Sequence, residues 1–213
     1  MKLPINIKLL ALCIVLMAAC TTTPAKKLVL PVYGEKTSTG ADTIYHTIGN
    51  FEFTNQYGEK VNRETVRGKI YVADFFFATC QSICPVMSRH MKEVQAAFAA
   101  DDSVLMLSHT VNPMHDTVEV LRAYGESYGA IKGKWHLLTG SKKEIYAMAK
   151  NDYLVNAIED DGSEEGFLHS ELMLLIDTQG RIRGMYDGTD KAQVANLIND
   201  IKKLKIENRK LRQ

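Results

Sequence analysis

No run in this sequence is apolar and long enough to span a bilayer: the longest, Leu9–Ala19, rises only about 16 Å as a helix, roughly half a hydrocarbon core. Cysteine is scarce too, with four in 213 residues. That count by itself leaves the role of the thiols open. Charge of one sign is lacking: the formal net charge is +1, which leaves no basic field for nucleic acid. Five prolines and 14 glycines beside 46% hydrophobic and 24% charged residues exclude collagen-like, low-complexity and disordered chains. There are no internal repeats, and the length suits one domain with a short extension.

What is present begins with a leader. Lys2 and Lys8 precede the apolar run, and small residues precede a break at Met17-Ala18-Ala19-Cys20. That pattern reads as an export signal. Its end resembles the bacterial lipoprotein signal, in which the cysteine is lipidated and becomes the first residue. Met17 stands where leucine is usual, and an ordinary signal peptide with an incidental Cys20 is the competing reading. Cleavage removes Lys2 and Lys8, so 26 basic residues become 24 against 25 acidic ones. Cys13 is discarded and Cys20 becomes the lipid anchor, which leaves Cys80 and Cys84 in an oxidising, extracytoplasmic compartment. The expected organisation is a leader over 1–19, a tether over 20–45 and one domain over 46–213, lipid-anchored to a bacterial membrane.

Along that domain the pattern predicts strands at Phe51–Thr54, Ile70–Phe77, Ser103–Thr110 and His136–Thr139, and a hairpin from Leu172–Asp177 and Arg181–Tyr186. Ile70–Phe77 is β-branched and aromatic throughout, as suits a strand buried on both faces. Helices are predicted over Val86–Ala99 behind Pro85, over Thr117–Tyr128, from a Ser141–Glu144 capping box to Lys150, and from Asp190 to about Lys205. Met87 and Met91 fall at core spacing. The fold class is therefore α/β, a mixed central sheet covered by helices on both faces, and its element order resembles a thioredoxin-like fold.

Chemistry concentrates in Thr79-Cys80-Gln81-Ser82-Ile83-Cys84-Pro85, where a buried strand turns into a helix. A helix N-terminus favours thiolate over thiol, and thiolate is the form that attacks disulfides and binds metals. Two thiolates suit Cu(I) or Zn, and one imidazole would complete a trigonal copper site. A passive local disulfide is the bland alternative. Of the six histidines, His46 and His136 are poorly placed and His90 lies too far along the helix. His109 and His115 remain possible, and His169 stands just before the strand at Leu172.

Phe75-Phe-Phe-Ala-Thr-Cys-Gln-Ser-Ile-Cys-Pro85 resembles the CxxxCP motif of the Sco/SenC family, copper-handling proteins of thioredoxin-like fold. Three more segments agree in order: Val111-Asn-Pro-Met-His-Asp-Thr117 with an Asp-Pro-x-x-Asp-Thr loop, Trp135-His-Leu-Leu-Thr-Gly140 with a Trp-to-Leu-Thr-Gly strand, and His169-Ser170 with a distal His-Ser. The resemblance implies Cys80, Cys84 and His169 as copper ligands, and a respiratory oxidase copper subunit or another copper or thiol client as partner. Three positions depart from it: Asn112 replaces an acid, Gln81 and Ser82 replace Pro and Asp, and Leu168 replaces an acid before the histidine.

Asp74 lies inside the apolar strand, six residues before Cys80. Thioredoxins resemble this segment in placing a buried Asp there to assist proton movement from the resolving thiol, so Asp74 is expected to tune Cys84. Exposure at a strand end or pairing with a lysine is the competing reading. A monomeric, tethered copper chaperone is thus expected. The alternative is a thiol–disulfide oxidoreductase, against which stands the lack of proline between Asp152 and Leu172.

Overall fold

Seven successive buried residues, Ile70–Phe76, form the strand around which the molecule is arranged. The computed structural model describes residues 30–40, 42–155 and 170–211. The leader, Cys20 and His169 lie outside them. In chain order the elements are β1 (Lys36–Thr39), β2 (Asp42–Tyr45), β3 (Glu52–Asn55), β4 (Lys60–Asn62), α1 (Arg63–Val66), β5 (Ile70–Phe76), α2 (Cys84–Ala97), β6 (Val104–Thr110), α3 (Val118–Tyr128), β7 (Trp135–Thr139), α4 (Lys142–Asn151), β8 (Leu172–Ile176), β9 (Ile182–Asp187) and α5 (Lys191–Leu211).

Seven strands make one mixed sheet in the order β4-β3-β7-β6-β5-β8-β9. The centre, β5-β6-β7, is parallel, and the flanking pairs are antiparallel. Two consecutive parallel crossovers in one direction are right-handed and therefore set α2 and α3 on the same face. Helix α5 joins them by packing on α2 and β9. Side chains alternate accordingly. Phe76 meets Tyr124 of α3 at 5.0 Å between ring centroids, so Phe76 and Asp74 look into the α2/α3 face. Phe75 instead stacks on His109 and meets Tyr153, which follows α4, so that helix covers the opposite face. The α/β, thioredoxin-like arrangement with helices on both faces is present, and Met87 and Met91 are core residues.

Local differences have local causes. Thr117 caps α3 and Asp190 caps α5, the latter accepting from the Ala192 amide at 2.7 Å. Ser141 makes no side-chain cap bond, so the capping box expected there is not formed. A box occurs instead at α1, between Asn62 and Thr65. The stretch expected as a tether carries the β1–β2 hairpin, whose Thr, Ile and Tyr residues favour strands and whose turn uses Gly40 at φ 65°.

Just before that hairpin the chain is held by Arg183. This guanidinium is 1% exposed, pairs with Asp177 and Glu207 at 2.9 and 2.8 Å, and donates to the Leu30 and Pro31 carbonyls at 2.8 and 2.9 Å. Arg181 pairs with Asp177 as well, at 2.7 Å, so two cations face two carboxylates. Removing one cation strands buried negative charge, at a typical loss of about 3–5 kcal/mol. Urea denaturation of Arg183→Met should show a loss of that order, and a change below about 1 kcal/mol would contradict the assignment of this cluster as the clamp on residues 30–31.

Candidate functional site

β5 ends at Phe76, and the loop that follows delivers Cys80 and then Cys84 at the first position of α2. Both cysteines are free, and they are 8% and 3% exposed. Ile83 precedes the helix without a side-chain cap, so no side chain competes for the first-turn amides. Burial opposes ionisation of Cys80. Hydrogen bonds from the Cys84 thiol and amide, and from the Ser82 hydroxyl and amide, outweigh it and hold the Cys80 thiol below its ordinary value. Cys84 is driven the other way, by burial first, then by the proton it shares with Cys80 and by the charges of Cys80 and Asp74. The pair is thus asymmetric: ionisation is eased at Cys80 and opposed at Cys84.

Asp74 lies in the same face of β5 as Phe76, turned toward α2. It is 2% exposed, and one of its carboxylate oxygens has no hydrogen-bond partner. Burial pushes its carboxyl up to about 7, against the hydrogen bonds of the Ser108 hydroxyl and its own amide. Ser108 is itself set by the Trp135 indole N–H, which donates to its oxygen at 2.9 Å. The competing reading of Asp74 as an exposed or lysine-paired acid does not describe this geometry.

Residues after β6 close the site from the side. Val111 donates its amide to the Phe76 carbonyl at 2.8 Å. Asp116, fully buried, accepts from the Ala78 amide at 3.1 Å, from the Thr110 hydroxyl, and from His115 Nδ1 at 2.9 Å. Asp116 was not singled out by its chemistry in the sequence. The Asp-Thr step before a capped helix was the available signal, because the carboxylate sits beside the Thr117 cap.

The described histidines separate clearly. His46 bonds the Asp152 carbonyl at 2.7 Å, His90 the Gly188 carbonyl at 2.7 Å, and His136 the Asn55 amide at 3.2 Å. His109 belongs to the other face of the sheet, boxed by Phe51, Phe53, Phe75 and Tyr153, and burial pushes its imidazole down to about 3. Among the described residues no three His, Cys, Asp or Glu side chains gather as a metal site. Ser170, just ahead of β8, accepts at its hydroxyl from the Leu172 amide at 3.2 Å. β8 runs antiparallel to β5, with Leu174 opposite Ala73 and Ile176 opposite Tyr71, so β8 starts at the end of the sheet where β5 delivers the cysteines.

The SCO1/SenC family model matches residues 39–205. This chain belongs to the SCO1/SenC family. Its fold superposes on a SCO1/SenC family lipoprotein from Bacillus anthracis str. Ames with a TM-score of 0.67 at 31% identity, covering 75% of this chain and 95% of that one. BsSco, a member of the Sco family of cytochrome c oxidase assembly proteins in which a disulfide switch was identified, gives 0.65 at 28% identity over 75% and 93%. Bradyrhizobium japonicum ScoI with copper bound gives 0.62 at 25% identity over 74% and 99%. The thioredoxin-like SCO1/SenC scaffold therefore carries the free Cys80–Cys84 pair at the end of its central strand.

A carboxyl raised from 3.8 unfolded to about 7 folded stabilises the fold fully below about pH 4, and that contribution is lost as pH rises through 7. Asp74→Asn, which cannot ionise, should therefore gain stability relative to the parent as pH climbs from about 4 to above 7, as read by urea denaturation at several pH values. Thiolate absorbance should show Cys84 ionising more readily in the same variant. A pH-independent stability difference and an unmoved Cys84 titration would contradict the coupling.

Proposed function

We propose that this chain is a lipid-anchored, extracytoplasmic copper chaperone. Cys80, Cys84 and His169 bind copper and pass it to the copper centre of a respiratory oxidase, with Cys20 as the site of lipidation. The observation that carries the reading is the preformed, asymmetric dithiol: two adjacent sulfurs, buried but free, at an uncapped helix N-terminus. Such a donor set suits a soft cation, and the hydrogen bonds around Cys80 ease its conversion to the thiolate that binds one. Copper is the cargo. Its arrival displaces the Cys84 proton to solvent, and Asp74, whose charge acts on Cys84 and whose one oxygen is unpartnered, can take that proton on the way.

Family membership supports the reading, as do the copper in the Bradyrhizobium japonicum relative, the oxidase assembly role named for BsSco and the lipoprotein character of the Bacillus anthracis relative. His169 as third ligand rests on the HS motif and on the start of β8 at the dithiol end of the sheet.

Thiol–disulfide exchange is the second reading, favoured by one observation. The opposite shifts, down at Cys80 and up at Cys84 beside Asp74, are those of an attacking and a resolving thiol. Both chemistries can serve one client, because copper-binding cysteines must be reduced before they are metallated.

Anaerobic Cu(I) titration against a competing chelator separates the two. Cys84→Ser should abolish tight binding, and His169→Ala should weaken it at least about tenfold, the equivalent of about 1.4 kcal/mol. Undiminished affinity in His169→Ala, together with reduction of a disulfide-bridged peptide that needs both cysteines, would replace the chaperone reading with the reductase one.

A further inference from the structure

Among the described residues Met114 is the most exposed large apolar side chain, at 87%. One exposed apolar residue is ordinary on a protein surface, but the neighbour of this one is unusual. The His115 side chain is half exposed, and its Nδ1 lies 2.9 Å from the wholly buried carboxylate of Asp116. A carboxylate accepting from Nδ1–H fixes the tautomer and leaves the Nε2 lone pair free, which is how ligating imidazoles are commonly held. The amides of His115 and Asp116 both donate to the Asn112 carbonyl, at 3.1 and 2.9 Å, so one tight turn carries Met114 and His115 side by side.

That turn adjoins the dithiol loop. The same Asp116 carboxylate that orients His115 accepts from the Ala78 amide, two residues before Cys80, while Val111 at the start of the turn donates to the Phe76 carbonyl. A thioether and a neutral imidazole are soft donors suited to Cu(I).

We propose that Met114 and His115 form a second, surface site for a soft monovalent cation, through which copper enters or leaves the Cys80–Cys84 pair. The inference rests on the copper-handling reading above and deepens it. Two neutral donors hold Cu(I) less tightly than a site containing thiolate, so the gradient runs inward. Transfer is ligand exchange: the bonds to the Met114 sulfur and His115 Nε2 break as bonds to the cysteine sulfurs form. Thiol protons pass to solvent, and the oxidation state of copper does not change. Asp116 is a positioning residue in this scheme, holding the turn against the loop it serves.

The probe is Ag(I), added as silver nitrate in chloride-free buffer to the full-length chain carrying methyl-labelled methionine, with Cys13 and Cys20 replaced by serine so that no thiol outside the pair competes. The Met114 methyl resonance is identified by its loss in Met114→Leu, and protection of Cys80 from alkylation reports the dithiol separately. In the parent, silver should protect Cys80 first, and further silver should then shift the Met114 methyl. In a Cys80→Ser/Cys84→Ser background the same methyl should respond from the first addition. His115→Gln should raise the silver concentration needed for that shift at least about tenfold and leave Cys80 protection unchanged. If Cys80 is protected while the Met114 methyl never moves, or moves equally in His115→Gln, this inference fails and the copper-handling reading stands. If silver leaves Cys80 open to alkylation, that reading fails and this inference fails with it.

Discussion

One buried carboxylate, Asp116, holds the candidate site together. It accepts from a backbone amide in the cysteine loop, a hydroxyl at the end of β6 and an imidazole in the turn between β6 and α3. These segments are separated by up to 38 positions in the chain, and loops of that kind are free to splay unless something fixes them. A charged group far from water is tolerated only where enough donors surround it, and here three do. The loop that presents Cys80 is thereby fixed from one side by Asp116 and from below by β5.

Asp74 shows the opposite use of the same functional group. It sits in the dry interior of the sheet with one oxygen unpartnered, and burial drives its carboxyl toward neutrality. A satisfied carboxylate acts as a fastener, whereas an unsatisfied one near a thiol can accept or release a proton as the charge of that thiol changes. Both acids lie within the reach of one strand-to-helix turn. The dithiol thus has a rigid rim and a responsive floor, a combination suited to binding a soft cation and then giving it up.

Much of this was legible in the residues. The apolar run at Ile70 marked the central strand because burial on both faces leaves no alternation to hide it. The CxxxCP spacing located the site because a strand, two thiols and an N-terminal proline imply one turn of backbone. Asp74 stood out as a charge in the wrong environment. Asp116 did not, because its three partners come from segments that only the folded sheet brings together. His109 looked as eligible as His115 in sequence. Strand alternation sends His109 into an aromatic box on the far face, whereas His115, in the turn beyond the end of β6, stays at the rim. The ordered β1–β2 hairpin escaped notice for a related reason, since Arg183 anchors the chain before it from more than 150 positions away.

The proposed copper chaperone stands on one coordination sphere, the Cys80–Cys84 sulfurs with one imidazole from His169. X-ray absorption at the copper edge of the loaded chain tests it most directly. Two sulfur neighbours and one nitrogen neighbour with imidazole scattering are expected, with loss of that nitrogen signature in His169→Ala. A copper environment without sulfur, or one whose imidazole scattering survives His169→Ala unchanged, would contradict it.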